Sequence, residues 1–112
     1  MTPRVRRAVH EDVPAIVRLL ADDPLGAQRE DLGDLTAYLS AFERIDADPA
    51  HELVVLDDDG TVVGTLQLTL LPGLSRRGVT RAQAEGVRVA STHRGRRLGF
   101  AASHVGMKLP LV

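Results

Sequence analysis

The stretch Glu85-Gly86-Val87-Arg88-Val89-Ala90-Ser91-Thr92-His93-Arg94-Gly95-Arg96-Arg97-Leu98-Gly99 joins two periodicities. Aliphatic residues alternate up to Val89 as in a β-strand, a turn follows, and from Leu98 onward the chain reads as the start of a helix. The first N–H groups of a helix lack partners within it, and together with the helix dipole they attract an anion. Gly95 and Gly99 let that anion approach the main chain. Arg94, Arg96 and Arg97 add charge-assisted hydrogen bonds, each worth roughly 1.5–3 kcal/mol. A pyrophosphate suits such a site. Two readings of the arginines stand at this level, an anion-binding surface and a solvated basic loop.

Charge sharpens the contrast between this stretch and the rest. Net charge is −1, yet residues 1–60 carry six arginines against fourteen acids, whereas residues 61–112 carry seven arginines and Lys108 against Glu85 alone. A length of 112 residues, with 44% hydrophobic and 26% charged side chains, fits one soluble globular domain over residues 1–112 and excludes a disordered chain. The longest uncharged run, residues 60–75, contains polar residues and Pro72 and is shorter than the ~20 residues of a bilayer span. The basic start, with Arg4, Arg6 and Arg7, runs into His10-Glu11-Asp12 rather than an apolar core, unlike a secretory signal. Without cysteine there are no disulfides, thiolate metal sites or cysteine nucleophiles. The cytosol is the default compartment, and no membrane partner is expected.

Upstream, residues 5–9 read as a short strand. Acidic residues and a capping carboxylate before Pro14 open a helix bearing Val13, Ile16, Val17, Leu19 and Leu20. Asp22-Asp23-Pro24-Leu25-Gly26 breaks it. Leu35, Tyr38, Leu39, Phe42 and Ile45 recur at helical spacing and mark a second helix, so two helices are expected before the main strands. Residues 52–56 and 62–71 form a hairpin across Asp57-Asp58-Asp59-Gly60, whose acids read as turn solvation. The second strand is apolar on both faces and should lie centrally. Residues 72–78 are a loop. Residues 79–89 are extended, with Arg81, Gln83 and Glu85 alternating on one face as the wall of a cleft. The order implies an α+β fold with a mostly antiparallel sheet flanked by helices.

The segment after Val89 resembles the acetyl-coenzyme A motif of the Gcn5-related N-acetyltransferase (GNAT) superfamily, Gln/Arg-x-x-Gly-x-Gly/Ala behind a strand of alternating aliphatics. Arg94 and Gly99 match its first and last positions, Gly95 and Leu98 are common between them, and Arg97 stands where the middle glycine is expected. Arg6-Arg7-Ala8, Glu11-Asp12 and the helix with Ile16 and Leu19 are similar to the family's opening strand and helix. Gly60-Thr61-Val62-Val63-Gly64-Thr65-Leu66 resembles its second hairpin.

The resemblance implies a GNAT-like fold (acyl-CoA N-acyltransferase) and acetyl-CoA as co-substrate, without a metal. The main chain of Val87, Arg88 and Val89 would pair with the pantetheine arm, and one of their N–H groups would polarise the thioester carbonyl. The N–H groups of Gly95, Arg96, Arg97, Leu98 and Gly99 would hold the pyrophosphate. Glu85 matches a strand carboxylate that in some members accepts the amine proton through water, needed because an ordinary amine is mostly protonated at pH 7. The other reading makes Glu85 a partner for Arg81 or Arg88. A complete domain of this kind continues with another strand, a helix often bearing a tyrosine acid, and a closing hairpin. Residues 100–112 hold Gly106 and Pro110 and no tyrosine, so the last strands are expected to be missing and the edge beside residues 79–89 to favour a homo-oligomer.

Smaller candidates have plainer alternatives. His10, His51, His93 and His104 are too dispersed for a metal site, and His93 is either a phosphate contact or an exposed loop residue. Ser75, Ser91 and Ser103 lack a neighbouring base. Tyr38 and Phe42 read as core, or as the border of an acceptor pocket. Arg76, Arg77 and Arg81 either flank the entrance or form a solvated hairpin loop. Two functions follow: an N-acetyltransferase acting on a small-molecule or peptide amine, or a non-catalytic CoA-binding or protein-interaction module of the same fold. Nucleic-acid binding is disfavoured, since Tyr38, Phe42 and Phe100 are the only rings for stacking and the first half is acidic.

Overall fold

Alternation in the first residues produces β1 (Arg4–Arg7), and a 3-10 turn (His10–Asp12) leads into α1 (Val13–Leu20). The computed structural model describes residues 3–94. Gly95, Arg96, Arg97, Leu98 and Gly99, with the helix expected from Leu98, lie outside the described residues. After α1 come α2 (Pro24–Arg29), α3 (Thr36–Ala47), β2 (His51–Asp58), β3 (Thr61–Pro72) and β4 (Thr80–Val89), then a 3-10 turn (Ser91–His93). The four strands form one antiparallel sheet in chain order.

Three helices, not two, precede β2. Pro24 ends α1 as expected, but it also occupies the first turn of α2, where the Asp23 carboxylate accepts a hydrogen bond from the Gly26 N–H. The residue that stops one helix starts the next.

The Asp-Gly turn forms as expected: Asp59 and Gly60 adopt φ of 53° and 91°, the left-handed pair that matches strand twist. β3 is central, between β2 and β4. On one face Val55 joins Ala8, Val13, Ile16, Val17 and Phe42 in a core covered by α1 and α3. On the other face Val54, Leu56, Leu66 and Val89 are also buried. Thr65, 1% exposed, resolves its buried hydroxyl by donating to the Val54 carbonyl at 3.0 Å. Phe42 is core, whereas Tyr38 is only partly buried; its hydroxyl donates to Glu30 and accepts from the Asp31 N–H, both at 2.8 Å.

Beyond Pro72 the β3–β4 connection is a loop as expected, and inside it lies one tight turn, Ser75–Gly78. Within it Arg76 (φ 54°, ψ 42°) and Arg77 (φ 63°, ψ 38°) are both left-handed. That geometry costs roughly 1–2 kcal/mol for each non-glycine residue.

One charged cluster ties the start of the chain to the sheet. Arg6 makes a two-pronged pair with Asp12 (2.8 and 3.0 Å) and donates to Asp57 through Nε at 2.8 Å. Asp12 stands at the N-cap of α1 without capping it: its carboxylate turns back to accept from the Val9 N–H at 2.8 Å. Hydrogen bonds from Arg6 hold the carboxyls of Asp12 and Asp57 below the ordinary carboxylate range. A folded-state pKa depressed in this way contributes stability above the unfolded value near ~3.9, and the contribution is lost as pH falls through the folded value. Arg6→Met therefore leaves Asp12, 7% exposed, without its cation. The expected result in urea denaturation is a loss of about 2–3 kcal/mol at pH 7. Below pH 4 the parent should lose stability more steeply than the variant.

Candidate active site

Along β4 the side chains of Arg81, Gln83 and Glu85 are exposed on one face, opposite Leu71, Thr69 and Gln67 of β3. Ala82 and Ala84 occupy the other face. Then the ladder slips. Gln67 pairs with Glu85 and Thr65 with Arg88, so Gly86 and Val87 together oppose Leu66. This is a β-bulge, made possible by Gly86 at φ +62°.

The extra residue inverts the alternation. Glu85 and Arg88, three apart, share the helix-covered face because their partners Gln67 and Thr65 are two apart. Arg88 thereby comes under the α1–α2 turn, with Nε 3.6 Å from an Asp23 oxygen and one terminal nitrogen donating to the Val87 carbonyl at 2.9 Å. Gly86 itself lies against Leu20 of α1.

Past the bulge the main chain turns outward in alternation. The Ala90 N–H donates to Val63 at 2.8 Å, which directs the N–H and carbonyl of Val89 to the outer edge of β4. At that edge the Val89 carbonyl accepts from Arg94 Nε at 2.9 Å, while another Arg94 nitrogen lies 3.7 Å from Asp22. Among the described residues no strand lies beyond this edge.

Glu85 has neither Arg81 nor Arg88 as an ion-pair partner, and it is exposed. His93 is not an exposed loop residue: its side chain is 13% exposed, its Nε2 lies 2.7 Å from Asp58 and its Nδ1 2.8 Å from the Thr92 hydroxyl. The acidic run before Gly60 is likewise more than turn solvation. Asp57 binds Arg6 and accepts from the Gly60 N–H at 2.7 Å, and Asp58 holds His93.

The structure therefore gathers Glu85, Val87, Arg88, Val89 and Arg94 at one end of β4 and leaves Arg76, Arg77 and Arg81 at the other. Sequence reasoning did not assign Asp22 and Asp23 to this end. Their signal was present, two carboxylates directly behind a helix in a chain whose arginines come later. Nor was the bulge foreseen, although a glycine inside a strand is its ordinary mark.

An added Cβ at Gly86 would meet only Leu20 Cδ2, at an ordinary 3.8 Å, so the cost of substitution lies in the backbone angle. Gly86→Ala should destabilise by about 1–2 kcal/mol in equilibrium urea unfolding, and Gly86→Asn by less, since asparagine tolerates left-handed backbone. Equal losses for both would assign the cost to packing instead.

Residues 13–104 match the family model of the Acetyltransferase (GNAT) family. Among solved structures, a transcriptional regulator from Bacillus halodurans C-125 superposes with a TM-score of 0.78 at 30% identity, over 97% of this chain and 99% of that one. Glucosamine-6-phosphate N-acetyltransferase from Arabidopsis thaliana gives 0.65 at 22% identity over 85% and 65% of the two chains. A predicted acetyltransferase with acetyl-CoA from Clostridium acetobutylicum gives 0.61 at 14% identity over 84% and 64%. The chain spans just under two thirds of the length of these last two, whose likeness is one of fold alone. No curated protein matches the chain.

Proposed function

Because the chain belongs to the acetyltransferase (GNAT) family, we propose that it is an acetyl-CoA-dependent N-acetyltransferase that moves acetyl to a primary amine by direct attack. The observation that carries this reading is the bulge at Gly86. It sets an exposed carboxylate, Glu85, immediately before a main chain whose Val89 N–H faces the outer edge.

In this reading acetyl-CoA lies along that edge, and the edge fits it in two respects. Extended pantetheine amides pair with strand N–H and carbonyl groups as a further strand would. Arg94 supplies positive charge where the phosphates begin, although Asp22 offsets part of it. An N–H of residues 87–89 polarises the thioester carbonyl. Glu85 takes a proton from the ammonium form of the acceptor through water, and the neutral nitrogen attacks the carbonyl carbon. The C–S bond breaks as the amide C–N bond forms, the amide loses a second proton to solvent, and the thiolate takes its proton from water.

One finding favours the other reading, a module of the same fold that binds acetyl-CoA or a protein without catalysis. The superposed structure that matches this chain over nearly its whole length is described as a transcriptional regulator.

Calorimetric titration with acetyl-CoA separates the outcomes. Binding with turnover of amines supports the enzyme, and binding without turnover across a panel of amines supports the module. No binding at millimolar acetyl-CoA would overturn both as acetyl-CoA proteins. Glu85→Gln is expected to lower kcat by about 100-fold or more while leaving acetyl-CoA affinity unchanged.

A further inference from the structure

Between Gly60 and Glu85 the sequence contains no acidic residue, but it contains Arg76, Arg77 and Arg81. Arg6, Arg7, Arg88 and Arg94 each lie within 4.0 Å of a carboxylate. Among the described residues the three hairpin arginines have no such partner, nor do Arg4, Arg18, Arg29 and Arg44, but those four stand in the acid-rich half of the sequence whereas the hairpin has no acid before Glu85. Charge is left over at this end of the sheet.

The hairpin tip is also held in an unusual shape. Arg76 and Arg77 are successive left-handed residues, a conformation that glycine or asparagine adopts at lower cost. Hydrogen bonds from Gly73 to Val79, from Gly78 to Leu74 and from Val79 to Ser75, at 3.0, 3.0 and 3.3 Å, fix the turn. Leu74 at its apex is 97% exposed. A built turn that presents two guanidinium groups and an apolar side chain to solvent is organised for contact with something outside the chain.

The register relates that turn to the proposed base. Arg81 and Glu85 stand on the same face of β4, opposite Leu71 and Gln67, with exposed Gln83 between them. Four residues of strand span about 13 Å. An acceptor whose amine sits at Glu85 and whose anion sits at Arg81 is therefore longer than one amino acid. An extended peptide advances by the same rise per residue, which brings a side chain about four positions from its amino terminus over Arg81, and later ones toward Arg77 and Arg76.

We infer that the acceptor is a peptide amino terminus followed by acidic side chains, read by Arg81, Arg76 and Arg77. This rests on the reading of Glu85 as the acceptor end of β4, and its test is a binding measurement that needs no turnover. Hexapeptides with a free amino terminus, a carboxy-terminal fluorophore and aspartate, alanine or lysine at positions three to six are titrated by fluorescence anisotropy. The aspartate peptide should bind at least ten-fold tighter than the alanine peptide, and the lysine peptide more weakly than either. Arg81→Ala, and Arg76→Asn with Arg77→Asn, which keeps the left-handed turn while removing its charge, should each abolish most of that preference. Arg44→Ala on exposed α3 should leave it intact. Equal affinity for the aspartate and alanine peptides, glucosamine 6-phosphate competing as well as the peptide, or a single-stranded oligonucleotide binding more tightly than it would each overturn the inference. Acetyl-CoA binding, measured separately, reports on the enzyme reading whichever way this test falls.

Discussion

One additional residue in β4 decides where the groups at this end of the sheet point. With Gly86 at φ +62°, Glu85 and Arg88 fall on the same face, and Arg88 reaches the carboxylate of Asp23. Had strict alternation continued, Val87 would have joined Glu85 and Arg88 would have faced away from α1. The α1–α2 turn would then have lost its cation. The outward Val89 carbonyl and the Arg94 side chain that binds it also stand beyond this point, so the local geometry of a proposed acetyl-CoA edge follows from one glycine.

The division of charge along the chain takes on a local meaning. Carboxylates of the acidic half serve as counter-ions for arginines of the basic half, Asp22 for Arg94 and Asp23 for Arg88, and Asp58 meets the His93 ring at 2.7 Å. Their weights differ. The Arg94–Asp22 pair joins two side chains more than half exposed, at 3.7 Å, and contributes roughly 0–1 kcal/mol. The Arg6 cluster joins short, multiply hydrogen-bonded and largely buried groups and belongs to the stronger class. The first pair is weak and open to solvent; the second is structural.

Much of the fold was legible in the residues. Helical spacing of Val13, Ile16, Val17 and Leu20, the Asp-Gly turn and the two apolar faces of β3 located the elements closely, because each is set by local periodicity or turn chemistry. The short α2 was not, since Asp23-Pro24 reads equally as an end and as a beginning. At the candidate site, Glu85 and the residues around Val89 could be named from their order in the chain. Their internal partners could not, because Asp22, Asp23 and Asp58 reach β4 and the turn after it only through long-range packing. His93 shows the limit well: next to Arg94 it reads as an exposed loop residue, and only Asp58 at the β2–β3 turn, far away in sequence, holds it partly buried.

The strand order β1-β2-β3-β4 has a consequence for how the chain assembles. β2, β3 and β4 are joined by tight turns, so their pairing closes short loops and can form early. β1 meets β2 only after the whole helical segment has been brought round, since Arg7 pairs with Val54. Arg6 sits on that strand; its bond to Asp12, six residues on, is local, whereas its bond to Asp57 closes only when β1 docks on β2. The Asp57 half of the cluster is thus a late clasp: closing after the other strands have paired, it acts more on the rate of opening than on the rate of assembly.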